Sequence, residues 1–450
     1  MRITLIRPLL LALLVAATPA AFPSRPDPVD IGRRLELFVD RYLIDTLDGA
    51  SLMLHPPTPA PPSRAPLSNG HYATVIKDGD IYRLYNRGGI SDFDGDEREY
   101  TAYFVSTNGI DWVAPRLGLF ELNGSRDNNA ILANAPPFSH NFSPFLDTRP
   151  GVPPAERYKA LAGTRESGLH AFYSADGVHW VRQGDSPVFT DGIFDSQNVS
   201  FWSDVEQRYV CYFRSWTGEG YSGLRTISRT TSTDFVHWSA PVALRPNAEN
   251  EHLYTSGTHP YFRAPHLYIA LPTRFMPDRG NATDIVFMTS RGGAAFDRTF
   301  LEAFIRPGLQ PEYWQNRANY AALNVVPTGE AEMSIYVRGR RYVLRTDGFA
   351  SVHAGFEGGE MVTRPLTFSG GRLVLNAATS ASGSLRVEIQ DEAGRPLPGY
   401  SLAESDPFVG DAIAQDVAWG GRSDVSALAG RPVRLRFVMQ DADLYALRFE

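Results

Sequence analysis

Three seven-residue segments recur along the chain and limit what it can fold into: Ser106-Thr-Asn-Gly-Ile-Asp-Trp112, Ser174-Ala-Asp-Gly-Val-His-Trp180 and Ser232-Thr-Asp-Phe-Val-His-Trp238. Each joins a serine to a turn-forming Asn or Asp and ends on tryptophan. Ser290-Arg-Gly-Gly-Ala-Ala-Phe296 is a fourth, decayed copy, and the aromatic ends are 68, 58 and 58 residues apart. That period is the length of a four-stranded sheet with its loops, the repeating unit of a β-propeller. Each copy is expected to close an outer hairpin, with its tryptophan packed between neighbouring sheets.

The chain around the repeats has almost no helical periodicity. Short alternating runs rich in Val, Ile, Tyr and Phe, such as Ile81 to Tyr85, Asn198 to Trp202 and His266 to Pro272, are broken by Gly, Asn, Asp and Pro, as in an all-β protein. A pair of such runs precedes each turn, and a fifth pair, Ala321 to Val326 and Met333 to Val337, lacks the tryptophan. The reading is a five-bladed β-propeller over 30–350, with Leu35 to Leu54 as the segment expected to supply the closing strand. After Arg345 the texture changes to evenly spaced strands, from Leu373 to Asn376 through Leu444 to Phe449, and 351–450 is read as a C-terminal β-sandwich.

Met1 to Arg7 carries two arginines, followed by the apolar run Pro8 to Ala17 and the small residues Thr18-Pro19-Ala20-Ala21. This is the layout of a cleavable signal peptide over 1–21, too short in its apolar part to span a bilayer. A secreted or periplasmic protein without a membrane span is expected. The lone Cys211 leaves no intramolecular disulfide and no thiolate zinc site. A net charge of −7 without a long basic run argues against nucleic acid as a partner. Nothing in the sequence calls for a cofactor.

In a propeller the leading residues of the innermost strands converge on one funnel, so these heads are where chemistry would sit. They read Asn69-Gly70-His71, Ser139-His140-Asn141, Asp195-Ser196-Gln197-Asn198, Thr258-His259-Pro260 and Asn319-Tyr320. Asp195, between Phe194 and a buried run, is the foremost acid, a candidate nucleophile or base. Glu251, beside His252 at the entry to blade four, is the candidate general acid. Glu99, ending an acidic stretch, and Asp40, ending an apolar one, are further candidates, each also readable as a turn or surface residue. His71, His140 and His259 hold matching places in three heads and suit sugar hydroxyls or, with a carboxylate, a divalent metal. No metal is assigned. Asn141, Gln197, Asn198, Arg214, Trp216 and Arg274 complete the candidate substrate-binding set. The tryptophan would stack on a sugar face, and the arginines would hold hydroxyls or an anionic substituent such as a uronate or sulfate.

Phe194-Asp195-Ser-Gln-Asn-Val-Ser-Phe-Trp202, followed by Tyr-Val-Cys-Tyr-Phe-Arg214, resembles the Asp-containing strand motif of the family 32 and family 43 glycosidases, and the Ser-x-Asp turns look like theirs. The resemblance covers nearly the whole chain after the leader. It implies an exported glycoside hydrolase that uses a carboxylate pair on an oligo- or polysaccharide, with furanosidic bonds among the targets. Two departures stand out: the first blade offers Asn69-Gly70-His71 without the carboxylate that family 32 has there, and the Arg and Pro that flank the family motif are missing around Asp195. The alternatives are a carbohydrate-binding propeller without catalysis, a sialidase-like enzyme and a polysaccharide lyase.

Overall fold

The computed structural model describes residues 27–61, 72–89 and 98–450. The leader, His71 and the acidic stretch 92–97 lie outside them. Among the described residues five antiparallel sheets follow one another in sequence order. The first is Thr74–Asp78, Ile81–Gly88, Tyr100–Ser106 and Ala130–Ala133. The second is Ser143–Leu146, Tyr158–Ala162, His170–Ser174 and Val181–Arg182, and the third Val199–Ser203, Arg208–Trp216, Arg225–Ser232 and Val242–Ala243. The fourth is split. His259–Tyr261, Ala264–Ala270 and Met288–Ser290 form one part, and His252–Leu253, Thr273–Met276, Ala282–Val286 and Ala303–Ile305 the other. The break falls at Leu271-Pro272, where proline has no N–H to give to a ladder.

The first strands are apolar and buried, Val199–Ser203 along its whole length, because they are covered on both faces. Ser143–Leu146 lies against Thr74–Asp78 on one side and Val199–Ser203 on the other, and the latter touches His259–Tyr261. Val325 donates its main-chain N–H to His259 Nε2 (3.1 Å), and Leu323 N–H bonds to Ala73 O (2.8 Å). The five sheets thereby close into a ring.

The three repeats form the same turn. Their serine Oγ accepts the N–H of the residue three further on (Gly109 2.9 Å, Gly177 2.8 Å, Phe235 2.9 Å). Oδ1 of Asn108, Asp176 and Asp234 accepts the next two free N–H groups at 2.8–2.9 Å, the side-chain turn these residue types favour. The fourth residue has φ of 71°, 75° and 69°. Gly109 and Gly177 take this left-handed conformation at no steric cost, while Phe235 adopts it with its ring fully buried against Phe145, Tyr209 and Trp238. Trp112 meets Tyr336 of the fifth sheet and Trp180 meets Tyr85 of the first, both edge-on.

The fifth sheet, Val326–Pro327, Glu332–Val337 and Arg340–Arg345, is completed by Thr58–Pro59, which pairs with Arg340–Arg345 at its outer edge. This corrects the reading of Leu35 to Leu54 as the closing strand. A proline suits an edge strand, whereas the longer N-terminal strands have apolar faces to bury elsewhere. Glu36–Leu37, Ile44–Asp48 and Ala50–Leu54 join Ala350–Ala354, Gly359–Thr363, Leu373–Gln390, Asp411–Asp416 and Arg434–Phe449. Phe38, Ile44, Val387, Trp419 and Phe437 share that second core. Arg291, just after the strand Met288–Ser290, ties the two cores together through Glu36 (2.7 Å) and Asp40 (2.8 Å).

Candidate functional site

The segments that lead into the first strands meet at one end of the ring. Tyr72, His140, Asp195, Tyr254 and Tyr320, one from each sheet, line a cavity of about 210 Å³ with Arg87, Arg214, Trp216, Tyr221, Arg225 and Arg317.

Asp195 stands on a turn clasped from both sides. Asn141 Nδ2 donates to Phe194 O (2.7 Å) and Ser196 O (3.1 Å), and Asn198 Nδ2 donates to the same two carbonyls (3.1 and 3.0 Å). Ser196 Oγ reaches Tyr254 O (3.0 Å) and Gln197 Nε2 reaches Ala73 O (3.1 Å). Three of the candidate sugar contacts, Asn141, Gln197 and Asn198, are therefore buried and give their amide N–H groups to backbone carbonyls, and they position the acid. The Asp195 carboxylate accepts the Tyr221 O–H (2.7 Å) and the Arg165 N–H (3.2 Å), with Arg214 Nη2 at 3.6 Å.

The wall opposite is aromatic. Tyr72 stacks on Tyr320, with ring centres 5.8 Å apart and planes at 12°, and Tyr254 packs against Tyr320 at 5.4 Å. Tyr72 has φ 58°, rare for a bulky residue and a form of strain concentrated at functional sites. Burial pushes the Tyr72 hydroxyl up to about 12 and Tyr320 well above its ordinary value, so both remain phenols that can donate. Arg225 lies between Trp216 (4.5 Å) and Tyr254 (5.0 Å), and Arg214 lies 5.0 Å from the same Tyr254 ring. Trp216 is thus a wall of the cavity.

Behind this layer His140 Nδ1 lies 3.0 Å from the carboxylate of Glu99, which is only 2% exposed, and Arg87 Nη1 lies 2.6 Å from the same nitrogen and 3.1 Å from Nε2. Glu99 therefore bears on the cavity through His140.

The other candidates lie elsewhere. Glu251 is buried in a separate cavity with Arg274. It accepts Arg298 through both oxygens (2.8 and 3.1 Å) and the Ala248 N–H (2.8 Å), so the structure does not bring Glu251 and Asp195 together. Arg274 forks onto Asp284 (2.8 and 2.6 Å). Asp40 is ion-paired to Arg291 at the join between the two cores. His259 lines an apolar cavity of about 480 Å³ at the far end of the first strands, among Val75, Phe145, Phe201 and Val326. It does not match His140, which stands three residues before Ser143–Leu146, whereas His259 is itself the first residue of His259–Tyr261. Burial holds its imidazole down to about 4, and the neutral ring joins Gly257 O to Val325 N–H. His71 lies outside the described residues.

Sequence reasoning read Tyr320 only as part of a strand head and missed Tyr72, Tyr221, Tyr254, Arg87, Arg225 and Arg317. Alternating aromatics look the same whether they face a core or a cavity.

No family model and no curated protein matches the chain. Solved structures similar to it include family 43 and family 32 glycoside hydrolases. An arabinoxylan arabinofuranohydrolase of family 43 from Bacillus subtilis is 12% identical, with a TM-score of 0.39, covering 84% of this chain and 95% of that one. A family 32 β-fructofuranosidase from Bombyx mori is 10% identical, with a TM-score of 0.40, covering 88% and 94%. An N-acetylgalactosamine deacetylase from F. plautii is 12% identical, with a TM-score of 0.43, covering 86% and 95%.

Proposed function

We propose that the chain is an exported glycoside hydrolase, a five-bladed β-propeller with a C-terminal β-sandwich, that cleaves a glycosidic bond in the cavity at the strand heads. One observation carries this reading: five separate segments converge to set a clasped carboxylate, Asp195, against stacked aromatic rings and phenol donors. Aromatic faces suit the apolar side of a sugar ring, and the phenols and guanidinium groups suit its hydroxyls. The cavity is smaller than the ~300–1,000 Å³ of sites for drug-sized ligands, and so suits one sugar unit.

In this reading Asp195 attacks the anomeric carbon or activates water, and His140, held by Glu99, exchanges a proton with the glycosidic oxygen. Retained product configuration would mark attack at carbon, and inversion activation of water. A second reading, a sugar-binding protein without turnover, is favoured by one observation. Among the described residues Asp195 is the only carboxylate that lines the cavity, whereas glycoside hydrolysis ordinarily uses two.

Incubating the wild type and Asp195→Asn with plant and algal glycans, with product analysis, tests the proposal. It predicts saturated oligosaccharide products that disappear in the variant. Unsaturated ends would indicate elimination, and binding without any product would leave the second reading.

A further inference from the structure

A chain of net charge −7 gathers four guanidinium groups, Arg87, Arg214, Arg225 and Arg317, in the cavity at the strand heads. Their partners differ. Arg87 lies 3.5 Å from the Glu99 carboxylate. Arg214 is 6% exposed, its nearest carboxylate oxygen is 3.6 Å away on Asp195, and its Nε has no hydrogen-bond partner. Arg225 has no carboxylate partner among the described residues. Its Nη1 lies 3.4 Å from the neutral acceptor His252 Nδ1, and its Nε is buried without a partner.

The two groups come from adjacent strands of the third sheet, Arg208–Trp216 and Arg225–Ser232. Both are held by ring faces: Arg214 over Tyr254, and Arg225 between Trp216, Tyr254 and Phe275. Stacking fixes the plane of a guanidinium while leaving its N–H edge unused. Two like charges, Arg214 buried and Arg225 half-buried, with one carboxylate beside them at more than hydrogen-bond length, are a costly arrangement unless an anion joins them. Burial, together with the Arg214 charge, holds Arg225 below its ordinary value, while Arg214 is held above its own by the groups around it, Asp195 among them.

We infer that Arg214 and Arg225 form a receptor for the carboxylate of a uronic acid unit, seated against Trp216 and Tyr254 in the same cavity. The inference rests on the proposed action at that cavity and adds the class of sugar. A planar anion fits the paired guanidinium edges with two parallel hydrogen bonds each, and its sugar ring would then lie on the aromatic wall, with Asp195 within the same small space.

The test is calorimetric binding of galacturonate and glucuronate, with galactose, glucose and a sulfated glucose as comparisons, to the full chain and to Asp195→Asn. Uronates are expected to bind ~10-fold or more tightly than their neutral counterparts. Arg225→Gln should abolish that preference at unchanged melting temperature, and Arg214→Lys, which keeps a charge but loses the fork, should weaken it. Equal binding of neutral sugars and uronates, or a preference that survives in Arg225→Gln, would overturn the inference. Equal binding of the sulfated sugar would overturn its restriction to carboxylates. Uronate-selective binding without cleavage would remove the hydrolytic reading and leave this one standing. Cleavage confined to neutral glycans would do the reverse.

Discussion

Where the first strands begin, the ring is lined by four tyrosines, four arginines and Asp195. Where they end, a cavity more than twice as large is walled by Val75, Phe145, Phe201, Tyr261 and Val326, with His259 as a neutral link between sheets. The two ends are made from the same strands. What separates them is position along the strand: at the far end side chains alternate into packed layers, whereas Tyr72, His140 and Asp195 precede the ladder and, with Arg87, Arg214 and Arg225 near the ends of neighbouring strands, turn polar groups to the axis. The larger space is walled mostly by apolar groups and the smaller one mostly by polar groups, so volume alone does not choose between them.

The widest expected gap between the ends concerns catalysis. Asp195→Asn should lower turnover by ~10²–10⁴-fold, the usual contribution of a positioned acid–base or nucleophilic group, with unfolding unchanged. Glu251→Gln, in its separate cavity with Arg298, should leave turnover within a few-fold. Steady-state kinetics on both variants checks this, and comparable losses would erase the distinction between the cavities.

The far end should answer in stability instead. Phe145 is buried against Tyr209 and Phe235, and Phe145→Ala should cost about 3–5 kcal/mol in denaturant unfolding while kcat/KM of the folded protein stays near wild type. A catalytic defect without a stability loss would reverse the assignment of the two ends.

The smallest effect is a pH dependence at the same end. His259 titrates near 4 in the folded chain against 6.5 ordinarily, because burial disfavours its charged form. As pH falls below about 6.5 the unfolded chain takes up the proton first. The stabilisation is thus complete above that pH and is lost progressively down to about 4, by an amount on the order of 3 kcal/mol. Unfolding measured across this window should show the slope, and His259→Gln should flatten it.

Much of this layout is legible in the sequence. The serine, the Asn or Asp and the tryptophan of each repeat are the atoms that make and pack the turn, so the pattern is the structure. Asp195 stands out because an acid next to Phe194 and just before a fully buried strand has few reasons to be there. Other features leave no such trace. Thr58–Pro59 is two residues long and has no period to detect. The Asn141 and Asn198 side chains face inward to carbonyls that only the folded turn brings near. Arg225 is 11 residues from Arg214 in the chain, and only strand pairing sets them side by side.

The most direct test of where a glycan acts on this protein is a crystal structure of Asp195→Asn soaked with an acidic oligosaccharide. The account predicts one sugar ring against Trp216 and Tyr254, with its carboxylate toward Arg214 and Arg225 and its glycosidic oxygen beside residue 195 and His140. A sugar seated in the apolar cavity around His259, or beside Glu251 and Arg298, would contradict it.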